Sequence, residues 1–249
     1  IMERWQGRVA VVTGASAGIG AAIVEDLVES GMVVVGLARR EDRLLDMKNK
    51  LQGKSGTLHP IKADITKEED LKKAFKWIKE NLGGIDVLVN NAGVLITTHT
   101  TDGNIEDWRK MFELNVFAVG ACAREAINSM KERNVDDGHI ININSLASHR
   151  IPDFPGIATY SASKHASNAI GEGLRRELSS QKSKIKVTSI SPGVVETEMF
   201  NSFKEGKNLN ISFKPLNAKD IADAVHYVLG TPPHVLVNEL TIRPVGDGI

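Results

Sequence analysis

Thr13-Gly14-Ala15-Ser16-Ala17-Gly18-Ile19-Gly20 follows the β-branched run Val9 to Thr13 without a break and leads into a helical stretch through Ile23 and Leu27. Strand, glycine turn and helix in that order form the geometry that holds a pyrophosphate. Small residues let the backbone approach the ligand, and free N–H groups with the positive end of the helix dipole favour a phosphate there. The spacing G-x-x-x-G-x-G differs from the dinucleotide pattern G-x-G-x-x-G and lacks the Lys-Ser/Thr ending of a P-loop. Taken alone, the glycines also fit a tight turn with no ligand, so the decision rests on the rest of the chain.

Working outward, short apolar and β-branched runs recur at Val9 to Thr13, Val33 to Ala38, Thr57 to Ala63, Ile85 to Asn90, His139 to Ser145, Ile185 to Ile190 and Val235 to Ile242. These are seven strand candidates. Between them lie helical periods such as Leu71, Phe75, Ile78 and Leu82, and Thr66 with Glu69 reads as a capping box that starts that helix. Strand alternating with helix predicts a parallel sheet covered on both faces, because a parallel crossover needs a dozen or more residues. The expectation is one doubly wound α/β domain over residues 1–249, with no linker or repeat.

Composition removes other classes. Lys plus Arg number 31 and Asp plus Glu 31, giving a formal net charge of 0 with the signs interspersed. That is not the basic footprint of a nucleic-acid or anionic-membrane partner. The single Cys122 can form no internal disulfide and no Cys/His metal spacing exists, which fits a reducing, cytoplasmic setting. The longest uncharged run, Val9 to Val24, is shorter than the roughly 20 apolar residues of a membrane span and is a poor signal-peptide core.

Two further patterns carry chemistry. After the second strand, where an Asp or Glu would read a free 2′-hydroxyl, stand Arg39 and Arg40. Guanidinium groups suit a 2′-phosphate through bidentate, charge-assisted bonds, so NADP(H) is predicted over NAD(H). Tyr160 and Lys164 are spaced i, i+4 on a predicted helix and so share a face, where the ammonium would favour the phenolate and make Tyr160 a general acid/base. Ser145 ends the strand from His139 at the carboxyl edge of the sheet, where ligands of such sheets bind.

Together these residues resemble the short-chain dehydrogenase/reductase family along nearly the whole chain. Thr13-Gly14-x-x-x-Gly18-x-Gly20 matches its cofactor turn, Asn90-Asn91-Ala92-Gly93 the motif ending its fourth strand, and Asp64, with Ile65 after it, the acid beside the adenine. Asn115 in Leu114-Asn115-Val116, Ser145, and Tyr160-x-x-x-Lys164 match the catalytic Asn, Ser, Tyr and Lys. Pro192-Gly193, with Val195 and Thr197, matches the segment that holds the nicotinamide carboxamide. The resemblance implies cofactor contacts at Gly14, Ser16, Gly18, Ile19, Gly20, Arg39, Arg40, Asp64, Ile65, Asn91, Ala92, Gly93, Tyr160, Lys164, Pro192, Gly193, Val195 and Thr197. It also implies that Lys164 binds the nicotinamide ribose, that Asn115 holds a water linking Lys164 to solvent, and that the chain forms a dimer or tetramer of identical subunits.

Within the family, the stretch Met130 to Ser145 and the start Glu3-Arg4-Trp5 resemble the branch that includes the insect farnesol dehydrogenases. The implied substrate is lipophilic, a farnesol-like alcohol before a keto-steroid or another carbonyl compound. A non-catalytic NADP(H)-binding sensor would be expected to carry a broken tetrad. Residues 197–216 are expected to form a substrate lid: Met199, Phe200, Phe203, Ile211 and Phe213 are apolar, and Gly206, Asn208 and Asn210 suit a mobile segment. The stretch from Ser145 to Tyr160, with Pro152 and Pro155, is longer than usual in the family.

Overall fold

A computed structural model of the chain describes residues 2–205 and 211–248. Seven parallel strands form one sheet: β1 (Val9–Thr13), β2 (Val33–Ala38), β3 (Thr57–Lys62), β4 (Val87–Asn90), β5 (His139–Ile143), β6 (Lys186–Pro192) and β7 (Glu239–Ile242), in the spatial order β3-β2-β1-β4-β5-β6-β7. Every residue of β1, β4 and β5 is buried, as strands covered on both faces must be. Helices α1 (Gly18–Glu29), α2 (Glu41–Lys50) and α8 (Ala218–Gly230) pack on one face, and α3 (Glu68–Leu82), α5 (Ala118–Glu132) and α6 (Ala158–Ser180) on the other. Two shorter helices, α4 (Ile105–Phe112) and α7 (Glu198–Lys204), contribute Met111 and Phe203 to a third cluster.

All seven expected strands form, and the differences in extent have local causes. Pro60 lies in β3, which is tolerated because β3 is an edge strand. The last strand begins at Glu239, not Val235. The preceding backbone is held by side chains in place of a ladder: Lys186 Nζ donates to Pro232 O and Val235 O, and Thr188 Oγ1 donates to Val237 O at 2.7 Å. Leu71, Phe75 and Ile78 bury the expected stripe of α3, with Leu82 partly buried. The capping box at its start does not form. Lys67 is the N-cap, while Thr66 donates its hydroxyl and backbone N–H to Asp64 Oδ1 at 2.7 and 3.1 Å. A reciprocal box stands instead at α8, between Asn217 and Asp220.

β1 and β4 are neighbours, while the chain order runs outward from each in opposite directions. This is the switch point of a doubly wound sheet, and it opens a crevice at the carboxyl ends of the strands.

One buried group in the sheet makes the fold acid-sensitive. His139 is 1% exposed, and its Nε2 lies 2.8 Å from Thr188 Oγ1. The single Thr188 proton goes to Val237 O, so His139 Nε2 is the donor. No partner stands at Nδ1 among the described residues, and burial, with Lys186 nearby, holds the imidazole pKa down at about 3. The unfolded chain, with the ordinary value of 6.5, therefore takes the proton first. The stabilisation is complete above pH 6.5 and is lost as pH falls toward 3. His139→Gln should flatten the acid limb of a plot of urea midpoint against pH; parallel limbs for variant and wild type would exclude His139 as its source.

Candidate functional site

The glycine turn is fixed to the end of β4 by side chains. Thr13 Oγ1 accepts the backbone N–H groups of Asn91 and Ala92 at 3.1 and 3.0 Å. Asn91 Nδ2 donates back to Thr13 O and Gly14 O at 3.0 and 3.3 Å. Gly14 has φ +64°, and a Cβ there would stand 2.8 Å from Ala92 Cα, so both conformation and space require glycine. At Gly20 a Cβ would collide with Gly14 O and Asn91 Nδ2.

A cavity of about 960 Å³ opens along the crevice. One end is lined by Gly14, Ser16, Gly18, Ile19, Arg39, Arg40, Asp64, Ile65, Asn91, Ala92 and Gly93; the middle by Ser145, Tyr160, Lys164, Pro192, Gly193, Val195 and Thr197. Two expected site residues, Gly20 and Asn115, do not line it. Gly20 packs behind the turn, and Asn115 is fully buried.

Asn115 sits in a π turn (Glu113–Phe117) between α4 and α5. Such a turn interrupts the helical ladder and recurs at functional sites. Its Oδ1 accepts from Val94 N at 2.9 Å, and its Nδ2 donates to Val94 O at 2.9 Å and to Ser163 Oγ at 3.0 Å. Both amide protons are thus committed to protein groups.

Ser145 caps the short 3-10 turn Leu146–Ser148, its Oγ accepting from Ala147 N at 3.1 Å, and the same side chain is near enough to the Tyr160 phenol to draw its pKa down. One turn along α6, Lys164 Nζ donates to Ile143 O at 3.3 Å and lies 5.9 Å from the Tyr160 ring centroid. The ammonium therefore stands over the Tyr160 ring. The expected depression of the tyrosine does not appear: burial pushes the Tyr160 phenol up to about 12, against a downward pull from Ser145. Burial draws Lys164 down to about 8. Ser145, Tyr160 and Lys164 meet as expected; at neutral pH the tyrosine is a proton donor.

Arg39 and Arg40 both face the cavity. Arg40 is already engaged: Nη1 bonds Glu198 Oε2 at 2.9 Å and Nε bonds Ser16 Oγ at 3.3 Å. Asp64 also lines the cavity while holding Thr66.

Beyond the tyrosine the walls turn apolar, with Val94, Leu95, Ile96, Leu146, Phe154, Ile157, Phe200 and Phe203. Phe154, in the long stretch before Tyr160, meets Phe203 edge-on at 5.6 Å between centroids. Sequence reading did not single out Phe154, nor the Val94-Leu95-Ile96 wall, although the latter directly follows Asn-Ala-Gly. It also passed over Asn144, which is 6% exposed, lines the cavity, and has no partner for either amide atom among the described residues. Met199 and Phe200 line the cavity from α7, whereas Gly206, Asn208 and Asn210 lie outside the described residues.

The sequence profile described as short chain dehydrogenase matches residues 8–208. A farnesol dehydrogenase of Aedes aegypti is 52% identical over 250 residues, covering 99% of each chain. The dehydrogenase/reductase SDR family member 11 of Gallus gallus is 47% identical, covering 98% of each. Among solved structures, an alcohol dehydrogenase of Thermococcus sibiricus complexed with 5-hydroxy-NADP superposes with a TM-score of 0.85 at 29% identity, covering 97% of this chain and 98% of that one.

The Lys164 ammonium is held in a dry place, and this has a measurable consequence. Its pKa falls from the ordinary 10.5 to about 8, so the unfolded chain binds the proton more firmly. Stability from this group rises with pH between 8 and 10.5 and carries the full penalty below 8. Lys164→Met should melt higher than wild type at pH 7 and lose that rise; a lower melting temperature at pH 7 would contradict it.

Proposed function

This chain belongs to the short-chain dehydrogenase family, and from that premise we propose that it transfers a hydride reversibly between NADP(H) and a lipophilic alcohol or its carbonyl product, with a farnesol-like isoprenoid alcohol favoured. The observation that carries the reading is the meeting of Ser145, Tyr160 and Lys164 midway along one cavity, between a glycine turn flanked by arginines and an apolar chamber.

The residues present fit a dinucleotide. Gly14 and Gly18, at φ +64° and +55°, keep the turn free of side-chain bulk, and the cavity is at the upper end of the range of small-ligand pockets, about 300–1,000 Å³. Ser16, Gly18 and Ile19 would hold the pyrophosphate, Arg39 and Arg40 the 2′-phosphate, Asp64 and Ile65 the adenine end, with Asn91, Ala92 and Gly93 beside the same nucleotide. Tyr160 and Lys164 would hold the nicotinamide ribose, and Pro192, Gly193, Val195 and Thr197 the carboxamide. The Arg pair also agrees with the NADP-type ligand of the Thermococcus enzyme. When bound, the cofactor supplies the hydride donor and acceptor.

The rest of the chemistry belongs to the protein. In the reductive direction, Tyr160, protonated at neutral pH, gives its proton to the carbonyl oxygen, with Ser145 easing that loss against the burial that raises its pKa. Ser145 bonds the same oxygen as negative charge develops on it, its own Oγ steadied by Ala147 N. Lys164 places positive charge against the phenolate left behind. Asn115 acts by position: it fixes Val94 and Ser163, and its Oδ1 faces the Gly93 backbone together with Lys164 Nζ, the two standing 3.3 and 3.6 Å from where a Gly93 Cβ would be. The second lone pair of that oxygen and the ammonium make the place for the relay water.

The apolar chamber supports a lipophilic substrate, and its name in the Aedes aegypti relative points to the isoprenoid alcohols. In the lid expected over residues 197–216, Phe203 of α7 packs on Phe154 and Phe200 on Phe203.

Absorbance at 340 nm tests the reading, with farnesol, geraniol and a hydroxysteroid against NADP⁺ and NAD⁺, and the matching carbonyls against NADPH and NADH. Farnesol oxidation with NADP⁺ at the highest kcat/KM is expected. Turnover confined to the steroid, or equal kcat/KM with the two cofactors, would overturn substrate or cofactor respectively. Tyr160→Phe should lose about two to four orders of magnitude in kcat with NADPH binding retained; more than a tenth of the wild-type kcat would remove it from its role.

A further inference from the structure

The segment between β6 and α8 leaves and returns at one point. Glu196 N donates to Leu216 O at 2.8 Å and Leu216 N to Val194 O at 2.9 Å, closing the base of the lid. Above that base, α7 is tied at both ends of the cavity. Phe203 packs on Phe154 at the apolar end. At the nucleotide end, Glu198, the first residue of α7, takes Arg40 Nη1 on Oε2 at 2.9 Å and Arg43 Nη1 on Oε1 at 2.5 Å. One carboxylate thus joins the lid helix to the arginine assigned to the 2′-phosphate.

Arg40 cannot serve both anions fully. A phosphate monoester carries about −1.5 to −2 charges at neutral pH. Glu198 is ionised there as well, since the Arg40 and Arg43 guanidinium groups hold its carboxyl below the usual carboxylate range. The two anions would compete for the same cation and repel each other across it. Arg43 does not line the cavity, so the phosphate leaves that second contact in place.

Resting on the reading that Arg40 takes the 2′-phosphate, we propose that Glu198 is a specificity-determining residue: it competes with the phosphate for Arg40, and nucleotide binding leaves Glu198, at the nucleotide end of α7, with Arg43 as its remaining ion-pair partner. Glu198 lowers the preference for the phosphorylated nucleotide and links that end of the cofactor to the lid. By reciprocity, whatever the phosphate does to the grip of Glu198 on Arg40, Glu198 does to the affinity for phosphate.

The test compares dissociation constants of NADPH and NADH for the full chain as wild type, Glu198→Gln, Glu198→Ala and Arg40→Ala. Both Glu198 variants should bind NADPH about three- to tenfold more tightly, the size expected of a partly screened charge contact, with NADH within about twofold of wild type. In wild type, hydrogen exchange of the α7 amides should be faster with NADPH than with NADH, a difference absent from Glu198→Gln. Arg40→Ala should abolish the preference for NADPH. If it does, and Glu198→Gln leaves the NADPH to NADH ratio unchanged or lowers it, the competition is disproved while the cofactor assignment stands. If Arg40→Ala leaves the preference intact, the assignment of Arg40 falls, and this inference with it.

Discussion

Thr13 and Asn91 hold together the point where the sheet divides. Beyond the last ladder bonds, β1 and β4 expose backbone groups that must be satisfied inside a crowded interior, and an unsatisfied one costs about 1–3 kcal/mol. A single hydroxyl takes two of the N–H groups, and a single amide returns to two of the carbonyls. The strands therefore remain side by side while their chains depart to opposite faces, toward α1 and α5, and the crevice between is open by construction. The same close approach excludes a Cβ from Gly14 and Gly20. It also sets the backbone of Gly93 against Asn115 and Lys164, so the shape of the nucleotide turn and the position of the catalytic groups follow from one clamp.

What the clamp positions is costly to hold. Burial opposes the charged form of both Tyr160 and Lys164, so the phenol resists losing its proton and the ammonium resists keeping one. The fold offsets part of this with the Ile143 carbonyl on Lys164 and the Ser145 hydroxyl on Tyr160. Stability given up at a site in exchange for reactivity is a general feature of enzymes, and here it is concentrated in one turn of α6.

The sequence carried the architecture because its signals are local. Each strand is a β-branched run, the stripe of α3 has the helical period, and the i, i+4 spacing of Tyr160 and Lys164 needs only a helix to bring them together. Boundaries were less legible where side chains replace the ladder, as at Val235 to Val237, where Lys186 and Thr188 hold the backbone from another strand. Thr66 illustrates a competing local choice: its hydroxyl turns back to Asp64, and α3 starts uncapped. Asn115, matched in the sequence to a catalytic Asn, is buried where a π turn sets it against the Val94 backbone. No spacing rule signals that turn. Phe154 escaped notice because its partner, Phe203, is distant in sequence and the pair closes a chamber that exists only in three dimensions.

The short helix α7 is likewise set by contacts distant in sequence. Seven residues cannot sustain a helix by backbone bonding alone, because nucleation is unfavourable and short segments are marginal in water. α7 therefore depends on what it touches. One end is held by ion pairs between exposed groups, which are individually weak and screened by salt. The other rests on aromatic contact with Phe154, itself on a stretch free of regular structure between the 3-10 turn and α6. Both of these contacts lie at the edge of the cavity, one beside Arg40 and the other at Phe154.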